Sequence, residues 1–183
     1  MQKKLFILVL LVASVGAYGQ GKFIAKNAYL SFYSSTPMED ILGESNEAVT
    51  ILNGETGEIG FQAIITTFHF KRALMEEHFN ENYIESTKFP KSKFSGKIEG
   101  FNKDMLKAPV ANIKITGQLN VHGVEKTITV PGTIGMENGK LVATSKFKVT
   151  PEDYGITIPS LVREKIGKEM EVTVKANYLP FGQ

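Results

Sequence analysis

Residues 112–149 read NIKITGQLNVHGVEKTITVPGTIGMENGKLVATSKFKV. Ile113, Ile115, Gly117, Leu119 and Val121 alternate with Asn112, Lys114, Thr116, Gln118 and Asn120. His122-Gly123 interrupts the pattern. Val124, Ile128 and Val130 then alternate with Glu125, Thr127 and Thr129. Asn138-Gly139 interrupts it again, and Asn-Gly is the strongest short hairpin signal. Leu141, Ala143, Phe147 and Val149 follow, alternating with Lys140, Thr144, Lys146 and Lys148. A period of two is that of a strand with one buried and one solvated face. Connections this short require antiparallel neighbours.

The same period extends outward. Met170, Val172, Val174 and Ala176 alternate with Glu171, Thr173, Lys175 and Asn177. Asn53-Gly54 separates two further strands upstream. Strands are expected near 22–35, 45–52, 57–70, 92–102, 110–121, 124–135, 140–150 and 169–179. Eight half-apolar strands close into a barrel or fold into a sandwich. Two segments depart from the period. Lys71–Glu81 places Leu74, Met75, His78 and Phe79 at helical spacing. Ser160–Ile166 reads as a second short helix, with Ser160 as N-cap and Gly167 as its stop. No linker or repeat interrupts residues 20–183, which read as one domain.

The 183 residues carry a formal charge of +2, from 21 basic and 19 acidic side chains. Lys3 and Lys4 account for that excess, since residues 1–19 contain no acid. Residues 20–183 are therefore neutral, which argues against a nucleic-acid partner. The sequence has no Cys, so disulfides, thiol catalysis and Cys-ligated metals are excluded. Lys3 and Lys4 precede an apolar run from Leu5 to Val15, then small residues at Ala17 and Gly19. At ~1.5 Å per residue that run reaches about half of a ~30 Å hydrocarbon core. Residues 1–19 are expected to be a cleaved secretory signal, and the mature chain periplasmic or secreted. No later stretch approaches membrane-span length, so stable membrane insertion is not expected.

Catalytic signatures are missing. Gly54, Gly57 and Gly60 fit neither a dinucleotide fingerprint nor a phosphate loop. There is no G-x-S-x-G and no H-E-x-x-H. His69, His78 and His122 lack the paired spacing of metal ligands. Glu76/Glu77 and Glu152/Asp153 are sequence neighbours that point apart. The expectation is a non-enzyme with no catalytic residue, no metal and no required cofactor. The aromatic load is more informative: 12 Phe and 6 Tyr, with no Trp. Phe61, Phe68, Phe70, Phe79, Phe94, Phe101 and Phe147 are assigned to strands or the helix. They either fill a barrel core or line a cavity, since an eight-stranded barrel is wide enough for both.

Three runs resemble the YceI family of exported lipid- or polyisoprenoid-binding proteins. The first is Leu74 to Ser86, followed by Phe89-Pro90-Lys91 and Phe94-Ser95-Gly96. The second is Gly117 to Lys126, and the third joins Phe147-Lys148-Val149 to Asp153-Tyr154-Gly155-Ile156. Many members carry a His-Ser pair early in the first strand, where this chain has Asn27-Ala28-Tyr29-Leu30-Ser31-Phe32. The resemblance implies an all-β, eight-stranded antiparallel, lipocalin-like barrel with one or two short helices, one of them near the opening. It implies a carrier for a polyisoprenoid, an isoprenoid quinone or a fatty-acid derivative, and it admits a homodimer. The candidate apolar lining is Phe32, Phe61, Phe68, Phe70, Leu74, Phe79, Phe94, Ile98, Ile115, Leu119, Val121, Phe147, Val149 and Ile156. Arg72 and Arg163, with Lys71, are the candidate headgroup contacts. The rival readings are a small outer-membrane barrel and an enzyme built on the same barrel.

Overall fold

The computed structural model describes residues 21–182; the expected signal peptide lies outside the described residues. The strands are β1 (Lys22–Ser35), β2 (Asp40–Asn53), β3 (Glu58–Ile64), β4 (His69–Phe70), β5 (Lys91–Ile98), β6 (Ala111–Val121), β7 (Val124–Glu137), β8 (Lys140–Val149) and β9 (Met170–Pro180). All pairings between them are antiparallel. The order runs β1-β2-β3-β5-β6-β7-β8-β9, and β9 pairs with β1, so the ladder closes. The all-β barrel has eight long strands; β4 is a two-residue addition to the edge of β2.

The turns follow from local chemistry. His122 and Gly123, and likewise Asn138 and Gly139, all have positive φ, as a two-residue turn of the twist-matched kind requires. The Asn53 side-chain oxygen accepts from the Glu55 and Thr56 amides at 2.9 and 3.3 Å, which reverses the chain between β2 and β3. The Thr36 hydroxyl oxygen does the same for Met38 and Glu39 at 3.3 and 3.1 Å. That turn lets β2 start at Asp40, earlier than the sequence pattern suggests.

Three sequence expectations are corrected. The strand expected over 57–70 breaks after Ile64. A 3-10 turn occupies Ile65–Thr67, and the chain then leaves β5 to pair with β2. Thr67 drives the break. Its hydroxyl donates to the Ile64 carbonyl at 2.8 Å and accepts from Ser45 at 2.7 Å. The helix expected over Ser160–Ile166 shortens to a 3-10 turn at Ser160–Val162. Pro159 takes the cap position, and Ser160 makes no cap bond. Phe101 belongs to no strand, because β5 ends at Ile98. The expected helix over 71–81 exists as α1 (Ala73–His78) continued by a π turn from Phe79 to Tyr83.

The two ends of the barrel differ. Leu52, Ile98 and Ile134 are among the largest fully buried side chains, and each lies where its strand nears the β2–β3, β5–β6 or β7–β8 connection. Phe101, Met105 and Leu106, from the β5–β6 connection, pack against the same core. This lower end is filled by side chains. The upper end carries the 36–39 turn, α1, the 122–123 turn and the 150–169 connection. Truncation should reveal the difference. Ile134→Ala should cost about 2–5 kcal/mol, as core truncations do. Leu119→Ala, higher in β6, should cost less than half as much. Urea unfolding of the two variants checks this.

Candidate functional site

Inward positions of the upper strands do not meet across the barrel. They enclose a cavity of about 550 Å³, within the ~300–1,000 Å³ usual for ligand pockets. Phe61 on β3, Phe94 on β5, and Ile115, Leu119 and Val121 on β6 form one side. Phe147 and Val149 on β8, Val172 and Val174 on β9, and Phe32 on β1 form the other. Phe68, Phe70, Leu74 and Phe79 enter from the β3–β5 crossover, and Ile156 enters from the β8–β9 connection.

Of the candidate apolar residues, Ile98 alone does not line the cavity. It is 1% exposed and belongs to the packed lower layer. The period of two correctly puts it inside, but it carries no information on height within the barrel. Arg72 lines the mouth and is ion-paired with Glu39. Arg163 stays outside, where it is held by Glu152 and donates to the Ile158 carbonyl at 3.2 Å. Lys71 is exposed and does not line the cavity.

Four aromatic rings fix the helix against the barrel. Phe32 lies 5.5, 5.6 and 5.1 Å from Phe68, Phe70 and Phe79, centroid to centroid. Phe79 lies 5.8 and 5.1 Å from Phe68 and Phe70. These are the spacings of favourable tilted and edge contacts. Gly43 makes room for them, since a Cβ there would sit 2.5 Å from the Phe32 ring and 2.8 Å from that of Phe70. Gly96 and Gly117 serve Phe94 in the same way. Each would place a Cβ within 2.7 Å of its ring. The wall is thus smooth where small residues let rings lie flat against backbone.

The mouth is partly apolar. Met38, Leu74 and Leu161 are 60%, 59% and 92% exposed on three different elements around it. Behind the helix, His122 ties the mouth together. Its Nδ1 lies 3.1 Å from the Tyr154 carbonyl and its Nε2 lies 2.9 Å from a Glu85 carboxylate oxygen. The Phe89 ring packs edge-on against it at 4.3 Å. The segment after the π turn is therefore fastened to the β6–β7 turn. His69 is exposed, as strand alternation suggests. Among the described residues no group of three metal-ligating side chains occurs.

One polar pair at the cavity floor escaped sequence reasoning. The hydroxyls of Thr50 on β2 and Tyr178 on β9 lie 2.9 Å apart. Both residues are buried and both line the cavity. β1 runs between their strands, and Ala25, the register partner of Thr50, is small enough to let them meet over it. Nothing in the sequence links residues 128 positions apart.

The model of the YceI-like domain matches residues 26–178. The chain belongs to the YceI-like family. Solved structures share the fold. A polyisoprenoid binding domain from Saccharophagus degradans is similar, with a TM-score of 0.73 at 12% identity, over 87% of this chain and 98% of that one. BcnA of Burkholderia cenocepacia has a TM-score of 0.67 at 12% identity, over 83% and 96%. A Campylobacter jejuni YceI protein has a TM-score of 0.51 at 16% identity, over 97% and 92%. No curated protein matches the sequence.

In this YceI-like barrel, burial pushes the Tyr178 phenol up to about 12, against a smaller lowering by its bond to Thr50. Its unfolded counterpart ionises near 10. Folding is thus favoured by the protonated phenol below pH ~10, and that contribution is lost as pH rises towards 12. The loss should reach about 3 kcal/mol. Chemical denaturation from pH 9 to 12 should show this decline, and Tyr178→Phe should flatten it.

Proposed function

We propose that the protein is an exported carrier that shelters a long apolar chain, such as a polyisoprenoid, in its barrel. The observation that carries this reading is the unfilled apolar cavity, open at one end beneath a helix and an apolar rim. Family membership supports it, and so does the likeness to a polyisoprenoid binding domain. Burial of each CH₂ contributes ~0.8 kcal/mol, so a five-carbon unit offers at most about 4 kcal/mol. Association costs roughly 4–15 kcal/mol. One unit barely binds, whereas several bind well, so the wall favours a long chain.

Two rivals fare worse. A membrane barrel turns an apolar band outward, whereas here Lys114, Lys146, Lys148 and Lys175 are exposed on the outer face. Lys146 and Lys148 pair there with Glu171 and Glu169 at 2.8 and 2.9 Å. An enzyme needs a group poised to exchange protons near neutral pH. At the cavity floor Tyr178 is driven away from that range, and His78, at the mouth, makes no side-chain hydrogen bond to a carboxylate or a nucleophile among the described residues. Binding therefore accounts for the site better than catalysis.

Phe94→Glu should lower retention of a polyisoprenoid at least tenfold, because its charge must be desolvated within the cavity. Phe79→Glu should act likewise beneath the helix. Mass spectrometry of small molecules co-purified with the exported protein is the direct measurement. Equal lipid retention by folded variants would refute the cavity assignment.

A further inference from the structure

The floor of the cavity carries a bonded pair of hydroxyls beneath walls lined mainly by apolar side chains. Thr50 and Tyr178 bring two O–H donors there, and their mutual bond uses one of them. Among the described residues, no acceptor takes the other. An O–H without an acceptor in an apolar site is costly, so the arrangement calls for an oxygen in the cavity. The side chain that offers the donor is 5% exposed, on Tyr178, or 2% exposed, on Thr50. The acidic and basic residues lining the cavity, namely Glu39, Arg72, His78, Lys93 and Lys165, belong to mouth elements or to the mouth end of β5. Among the described residues, no cation lines the floor. A carboxylate or phosphate there would be an unpaired buried charge.

We infer that the floor of the barrel recognises a neutral carbonyl oxygen at the buried end of the cargo, through the free hydroxyl donor of the Thr50–Tyr178 pair. This rests on the carrier reading and deepens it. The cargo enters with its weakly polar end first and leaves its hydrocarbon against the Phe-lined wall and the apolar rim. A quinone ring and an acyl ester both supply the required oxygen; a bare hydrocarbon supplies none. The high phenol pKa keeps Tyr178 a donor throughout the neutral range.

Two matched probe pairs test it. One is 2-decyl-1,4-benzoquinone against 1-decyl-2,5-dimethylbenzene, in which methyl groups replace the carbonyl oxygens. The other is a long-chain methyl ester against the alkane of equal length. The wild-type barrel should prefer the carbonyl member of at least one pair by about fivefold to tenfold. Which pair responds tells a quinone from an acyl ester. The double variant Thr50→Val/Tyr178→Phe removes both donors and should bring that ratio towards one while still binding the hydrocarbon member; either single variant leaves one hydroxyl free to donate. The bound carbonyl stretch should lie at lower wavenumber in the wild type than in the double variant. Ratios near one in the wild type, as when water alone satisfies the hydroxyl, would overturn the inference and leave the carrier reading standing. So would a preference that survives in the double variant. Failure of every probe to bind would overturn the carrier reading, and the inference with it.

Discussion

The closed hydrogen-bond ladder is the constraint on which the rest depends. Once β1 pairs with both β2 and β9, the sheet closes on itself and its girth is set by backbone geometry, although β7 and β8 stay paired only from Gly132–Ser145 down to their turn. What fills the interior then becomes a separate matter. At the lower end Leu52, Ile98 and Ile134 fill it, with the 101–106 segment as a plug. At the upper end the ladder holds the strands apart although their side chains do not meet. A sheet without closure could collapse onto its apolar face. Closure resists that collapse, and the cavity is what the upper side chains leave unfilled.

Small residues decide how the wall is finished. Gly43, Gly96 and Gly117 sit where Phe rings lie across the backbone. The rings supply large apolar area with few rotatable bonds, and the glycines keep them from projecting into the space they line. The four-ring cluster around Phe32 couples this wall to the helix. The His122–Glu85 contact fastens the chain beyond that helix. Cavity shape and helix position therefore rest on the same residues.

Much of this was legible in the sequence because side-chain direction in a strand is fixed by parity. Alternation in residues 112–149 places Ile115, Leu119, Phe147 and Val149 inside, and the structure has them there. Height along the barrel is not encoded by parity, which is why Ile98 falls in the packed layer. The break after Ile64 depends on Ser45, a residue of another strand, meeting Thr67. Arg163 reads as a free cation until the fold brings Glu152 beside it. The Thr50–Tyr178 pair needs barrel closure to exist. Each miss involves a tertiary partner that no local pattern announces.

The charge of the cavity is consistent from mouth to floor. Residues 20–183 are neutral in total, and the mouth repeats this locally: Arg72 is already paired with Glu39, and Arg163 with Glu152. An anionic headgroup would have to displace a carboxylate from an arginine, or settle for exposed lysines such as Lys165. Exposed pairs of that kind contribute only about 0–1 kcal/mol. The floor offers a donor without a charge. Neither end therefore selects an anion, and affinity is left to the apolar wall between them. Such a site discriminates by chain length and by the position of a neutral oxygen.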